Sequence, residues 1–411
     1  MKILHLADLH LGKLLHNASL IEYGDQPFRI EQLLALIDRE RPDAVVIAGD
    51  VYDRGIPTRE AVQLLSRFLT AVAGERGIPV FLIAGNHDGG ERLEFAAELL
   101  AGRNVYISGS LERELRHITL DDNGEPVTFW LMPYVFPVKI RDTLQLEPDE
   151  ARDYDTAVRR LLAEQEVDFS ARNVLVAHQF VVNGDRQPTP SESESMVGGV
   201  GAIDYTAFDG FDYVALGHIH GAQSVGRASV RYAGAPLCYH FSEVGQKKAA
   251  LMVTLGPKGT DPVYEEFELP VLHPMRRIRG KFADILRDEE ASPARGEYVA
   301  VEITDPDPIL HASSTLRDLF ESHDTRMLDL TFRPEGREPR AGDTLSDAAA
   351  EKPLEELFGE FFSEHTGRAL SREEEELIRH ACAHIESHGD ETADELADNL
   401  VRLALDRKQE A

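Results

Sequence analysis

Seven side chains that can ligate a metal stand just beyond five apolar runs. Residues 3–7 lead into Asp8 and His10, 44–48 into Asp50, 80–84 into Asn86, 173–177 into His178, and 212–216 into His218 and His220. Short apolar runs of this kind form strands buried on both faces. A ligand where such a strand ends is held at the carboxyl edge of a sheet, where open α/β folds place their ligands. Carboxylate, amide and imidazole groups at five such ends read as one metal site. Their mixed oxygen and nitrogen character suits ions such as Mn²⁺.

The chemistry this set supports is two-metal hydrolysis, with ions ~3.5–4 Å apart, a bridging carboxylate and a solvent molecule made nucleophilic between them. Asp50 is the natural bridge, having two oxygens and a fixed position. Asp8 and His10, two residues apart, can both reach one ion. Asn86 offers a neutral oxygen, and His178, His218 and His220 complete the shells. His87 follows a ligand without needing to be one. As a protonated imidazole beside a scissile phosphate it would stabilise developing charge and protonate the leaving oxygen. Asp53 is expected to orient and charge that imidazole, and Arg54 to pair with a non-bridging phosphate oxygen. Asp88 is expected to cap the following helix. His5 and Asp43 are expected to lie outside the site.

The elements that position these groups alternate. Apolar spacing predicts helices over 28–39, 58–73 (opened by Thr58), 93–100 and 149–165, between the ligand-bearing strands. That is an α/β layered architecture. Residues 115–120 and 127–132 flank the turn signal 121–124 and predict a hairpin. The polar segment 183–201 lies between two ligand-bearing strands and reads as a substrate-facing flap. Further strands are expected at 229–233 and 249–255. Near residue 269 the character changes to a small α+β unit, with strands at 276–286, 298–304 and 327–333 and a helix near 314–321. The last segment carries an apolar helical stripe, Leu354, Leu357, Phe358, Phe361 and Phe362. Two more short helices follow, one opened by the capping box Ser371 and Glu374. Such a face suits either docking back on the adjacent domain or, the reading taken here, a partner protein's helix or coiled coil. The expected domains are 1–268, 269–345 and 346–411.

With 43 Lys and Arg against 73 Asp and Glu, the formal charge is −30. Phosphate contacts normally require cationic side chains, so autonomous, tight binding to long DNA is not expected. Bound metal would make an acidic site attractive to phosphate all the same. Cys238 and Cys382 lie far apart and form no spaced motif, which points to a reducing compartment. No run approaches the ~20 apolar residues of a membrane span, and the first residues are too quickly charged for a signal peptide. The expectation is a cytoplasmic or nucleoid-associated protein.

The series Asp8-Leu9-His10, 49–54 (Gly-Asp-Val-Tyr-Asp-Arg), 85–88 (Gly-Asn-His-Asp), Ala177-His178 and Gly217-His218-Ile219-His220 resembles that of the calcineurin-like metallophosphoesterases. Residues 1–12 and 232–243 more narrowly resemble the SbcD family of bacterial nuclease subunits. The resemblance implies a four-layer α/β/β/α sandwich with a small capping domain and C-terminal helices that meet the coiled coil of an SbcC-type ATPase. It also implies a dimer of nuclease subunits, a heterotetramer with two ATPase subunits, and action on DNA ends and hairpins. Duplex would be degraded exonucleolytically, 3′ to 5′, and single strands nicked, with Mn²⁺ preferred and Mg²⁺ as the alternative. By motif, one ion would take Asp8, His10, Asp50 and His220, and the other Asp50, Asn86, His178 and His218. His87 would be the transition-state histidine. Break-repair nucleases outside bacteria tend to carry His where this chain has Asp53, whereas Asp53-Arg54 matches the phosphatase form. The competing readings are therefore a phosphatase or small-molecule phosphodiesterase, and a non-catalytic DNA-end scaffold.

Overall fold

The computed structural model describes residues 1–147, 149–184, 186–191, 201–290, 296–307, 309–334, 370 and 378. The helices expected over 346–411, Cys382, and residues 192–200 of the flap lie outside the described residues. Met1–Gly336 is one compact unit.

β1 (Lys2–Leu6) is followed by a small ribbon, β2 (Leu14–Leu15) against β3 (Ala18–Ser19). Then come α1 (Asp25–Glu40), β4 (Ala44–Ala48), α2 (Arg59–Leu69), β5 (Val80–Ile83), α3 (Gly90–Leu93), α4 (Ala97–Ala101) and β6 (Val105–Ser108). The hairpin β7 (Arg116–Asp122) and β8 (Glu125–Met132) opens a second sheet. The chain continues through α5 (Pro137–Leu144), α6 (Tyr154–Ala163), β9 (Arg172–His178), β10 (Val181–Val182) and β11 (Ile203–Asp204), which pair only with each other, then β12 (Tyr213–Gly217), β13 (Gln223–Val225) and β14 (Arg227–Tyr232). β15 (Ala249–Thr254) and β16 (Val263–Glu268) return to the first. The two six-stranded orders are β16-β15-β1-β4-β5-β6 and β13-β14-β12-β9-β8-β7.

Each central strand is buried on both faces, so its side chains sort by parity. Val45 and Ile47 point outward to a core shared with Leu33, Ile37, Leu64 and Phe68 of α1 and α2. Ala44, Val46 and Ala48 point inward to a core shared with Phe129, Val174, Val176 and Ala215 of the second sheet. Phe81 and Phe129 stack across that seam at 4.1 Å. Leu175, Val214 and Leu216 face outward with Val158 and Leu161 of α6. The result is the expected sequence of layers, helix, sheet, sheet, helix.

Several elements differ from the sequence reading. The expected helix 93–100 is two short pieces, because Ala96 adopts a left-handed φ of 62° between them. α2 starts as expected, with the Thr58 hydroxyl accepting from the Ala61 N–H, but continues as a π-helical turn over Thr70–Glu75. The helix expected over 149–165 begins at Tyr154, capped by Asp153. α5 went unread, although Pro137 in its first turn is a start signal. β17 (Met275–Gly280), α7 (Phe282–Glu290), β18 (Tyr298–Ile303), α8 (Ala312–Ser322) and β19 (Arg326–Phe332) form a parallel sheet in which a helix joins successive strands. This unit is therefore α/β and not the expected α+β. Its own core is Ile285, Val299, Val301, Leu316 and Phe320. Tyr298 also donates its hydroxyl to Asp25 at the start of α1, at 2.6 Å.

Candidate metal centre

All five ligand-bearing strands end at one place. The loops after β1 and β4 zip together through His10 N–H to Asp50 O (2.9 Å) and Leu11 N–H to Val51 O (2.9 Å). Asp8 Oδ1 accepts the His218 N–H at 2.9 Å, joining the ends of β1 and β12. Asp8, His10, Asp50, His178, His218 and His220 are all buried. Asp8, His10, Asp50 and His218 have φ values of 53°, 41°, 46° and 105°, so four candidate ligands sit on strained backbone, as functional sites often do.

The side chains form two neighbouring groups. His10 Nε2 lies 3.2 Å from His220 Nε2 and 3.7 Å from Asp50 Oδ2. His178 Nε2 lies 3.2 Å from the same Asp50 oxygen and 3.1 Å from Asn86 Oδ1. His218 Nδ1 lies 3.1 Å from Asn86 Oδ1. Donor atoms of Asp8, His10 and His220, of Asp8, Asp50 and His178, and of His10, Asp53 and His87 are close enough to share an ion.

Proton placement tests whether a cation fits. His178 Nδ1 donates to the Ala48 carbonyl at 2.8 Å, and His220 Nδ1 donates to Glu243 Oε1 at 3.0 Å. Their Nε2 atoms then present lone pairs toward Asp50, Asn86 and His10. Lone pairs facing carboxylate and amide oxygens are complementary to a cation, and the donor set fits divalent ions with mixed ligands.

The electrostatics agree. Burial drives His10 down to about 4, against the pull of Asp53 and Asp50. Burial, followed by the His178 charge, drives His218 to about 3. Burial also lowers His220 despite Glu243. These imidazoles are neutral at pH 7, as ligands must be. Burial opposes charge on His178 too, but Asp50 outweighs it and lifts this group to about 9. A proton is drawn to the place a cation would take.

Asp53 and Asp88 are where the sequence expectation needs correcting. The Asp53 carboxylate does not hydrogen-bond to His87. It lies 3.5 Å from His10 Nδ1 and 2.8 Å from Lys13 Nζ. The Asp53 backbone carbonyl lies 3.2 Å from His87 Nδ1, because zipping of the two loops turns the carboxylate over His10. Asp88 caps no helix. It is buried and accepts the N–H groups of Val51, Tyr52 and Gly85, pinning the Asp50 loop to the Asn86 loop.

The Arg54 side chain is 65% exposed, with Nε 3.8 Å from Asp53 Oδ2. His5 lies between the sheets, 2.8 Å from the Tyr213 hydroxyl. Asp43 accepts the Lys2 N–H, and His16 packs on Phe241. Glu243, Lys248, Tyr239 and Tyr134 also border the centre and were not read as site residues. Tyr239 and Glu243 fall in the 232–243 stretch that carries the SbcD resemblance, but none of the four directly follows an apolar strand run, the pattern that marked the ligands.

Gly217 is required by close approach. A Cβ there would overlap the Ala48 carbonyl oxygen and crowd the His178 ring. Gly217→Ala is expected to destabilise the fold by about 1–3 kcal/mol, as overpacking does, measured by chemical denaturation.

The calcineurin-like phosphoesterase model matches residues 1–222, and the type 5 capsule protein repressor C-terminal domain matches residues 271–366. The SbcD subunit of the nuclease SbcCD from Staphylococcus epidermidis is 30% identical over 325 residues, covering 78% of this chain and 83% of that protein. Among solved structures, a dimetal phosphatase from Danio rerio gives a TM-score of 0.32 at 12% identity, over 65% of this chain and 99% of that one. YfcE, a phosphoesterase from E. coli, gives 0.25 at 12% identity, over 62% and 88%. Superpositions that loose carry no argument about function. By family match and by its curated relative, the chain belongs to the calcineurin-like phosphoesterases and, within them, to the SbcD family.

Proposed function

We propose that this protein is the nuclease subunit of an SbcCD-type complex and cleaves DNA phosphodiester bonds by two-metal hydrolysis. The observation that carries this reading is the convergence of the seven candidate ligands at one sheet edge in a chain of the SbcD family. One ion is assigned to Asp8, His10, Asp50 and His220, and the other to Asp50, Asn86, His178 and His218. When bound, such ions supply Lewis acidity and a nucleophilic solvent molecule at neutral pH. Mn²⁺ is the proposed metal, with Mg²⁺ as the alternative.

The remaining roles belong to the chain's own side chains. Asp50 Oδ1 accepts the His87 N–H at 2.9 Å, which fixes the carboxylate with Oδ2 turned toward His178 and His10; Asp50 would hold both ions. His87 Nδ1 is turned toward the Asp53 carbonyl, which leaves Nε2 to donate a proton to the leaving oxygen. Asp53 faces His10 Nδ1 at 3.5 Å, and Arg54, exposed at the mouth, reaches a non-bridging phosphate oxygen.

The working domain scheme remains a nuclease domain over 1–268, a capping domain over 269–345 and a partner-binding region over 346–411. The last would dock on the coiled coil of an SbcC-type ATPase in a heterotetramer acting on DNA ends and hairpins. No helix among the described residues is long and apolar enough to cross a membrane. A nucleoid-associated, cytoplasmic location accords with the reading. Phe95 and Leu99, 83% and 79% exposed, suit contact with a second copy. Phe95→Glu with Leu99→Glu is expected to give a monomer by light scattering while leaving cleavage of short substrates intact.

The test of function is an assay on end-labelled duplex and hairpin DNA, with Mn²⁺ or Mg²⁺, with and without the ATPase. Hydrolysis of p-nitrophenyl phosphate without DNA cleavage, even with the partner present, would favour a phosphatase instead.

A further inference from the structure

We propose that Glu243 and Lys248 form a positioning pair that fixes His220 as a metal ligand, so that their removal weakens one of the two ions selectively. The inference rests on the ligand assignment given under Proposed function. Glu243, Lys248 and His220 are all buried. Glu243 Oε1 accepts from His220 Nδ1 at 3.0 Å. Its other oxygen accepts from Lys248 Nζ at 2.6 Å and from the Tyr239 N–H at 3.3 Å. Lys248 Nζ also donates to the His220 backbone carbonyl at 3.1 Å and to Gln246 Oε1 at 3.0 Å. Lys248 therefore holds His220 at both ends, the backbone directly and the ring through Glu243.

The consequence for the ligand is specific. A carboxylate on Nδ1 keeps the proton there, aims the Nε2 lone pair inward and makes that nitrogen a stronger donor. A buried ammonium and carboxylate are weak evidence of a stabilising role, since an apolar pair of similar volume is often as stable. The histidines of the other group lack such support. His178 faces the neutral Ala48 carbonyl, and His218 Nε2 is buried with no hydrogen-bond partner. The pair thus acts on one ion's shell and not on both.

The test is calorimetric titration of chelator-stripped, full-length protein with Mn²⁺, comparing wild type, Glu243→Gln, and the double variant Glu243→Gln/Lys248→Met. The double variant removes both charges together, so no lone buried ammonium remains to unfold the chain. In each variant one of the two binding steps is expected to weaken by roughly 10–100-fold, while the other keeps its wild-type affinity. A folded double variant that retains both affinities, or loses both equally, overturns the proposal. Failure of the wild type to bind Mn²⁺ would overturn the ligand assignment itself.

Discussion

Replacing His87 by Gln is expected to slow DNA cleavage by roughly 10²–10⁴-fold while both Mn²⁺ ions stay bound. The separation of the two effects follows from which atoms of His87 do what. Its backbone N–H holds Asp50 Oδ1, a bond that Gln keeps. Its ring stands edge-on to His10 at 4.8 Å and is turned by the Asp53 carbonyl. The ring is thus beside the ion ligands without being needed among them, and its loss removes proton donation alone. Single-turnover cleavage of end-labelled duplex, paired with a count of Mn²⁺ per chain, separates the two. Cleavage at the wild-type rate would move proton transfer to another group.

Asp50→Asn is expected to act through the ions. The retained amide oxygen can still accept from His87, but an NH₂ group replaces Oδ2. That group would donate toward His178 Nε2 and His10 Nε2, 3.2 and 3.7 Å from the present oxygen. Hydrogen bonds then fill the position of the ions, and the bridging charge is gone. Metal content is expected to fall below two per chain. Removing several kcal/mol of Lewis-acid stabilisation corresponds to a loss of activity on the order of 10³-fold or more. Elemental analysis after gel filtration reads the first effect. Two ions retained at wild-type affinity would exclude Asp50 as the bridge.

The candidate ligands were legible because burial on both strand faces forces a largely apolar run, interrupted in β1 by His5, and the first polar residue after the strand marks the sheet edge. Asp8, Asp50, Asn86 and His178 were found that way. The role of Asp53 was not legible, because carboxylate and carbonyl of one residue point apart. Which of them meets His87 depends on the ladder between the loops after β1 and β4. Asp88 was misread for a related reason. Its partners include Val51 and Tyr52, 37 and 36 residues earlier in the chain, so nothing nearby marks their need for an acceptor. In the capping unit, residues 276–286 read as one strand. In the structure the chain turns at Gly280 and starts α7 at Phe282, whose N–H finds Asp305 Oδ2, an acceptor 23 residues ahead. Local pattern located strands well and long-range hydrogen bonds poorly.

The left-handed backbone at Asp8, His10, Asp50 and His218 sets a limit on how this enzyme can be improved. Strain of this kind costs on the order of 1 kcal/mol per residue. Glycine at His218 would relax the chain and delete a candidate ligand in one step. Selection for heat resistance alone would thus reward inactive descendants, a trade between stability and activity built into the backbone. A thermostabilisation programme should hold these four positions fixed and draw its gains from surfaces far from the sheet edge.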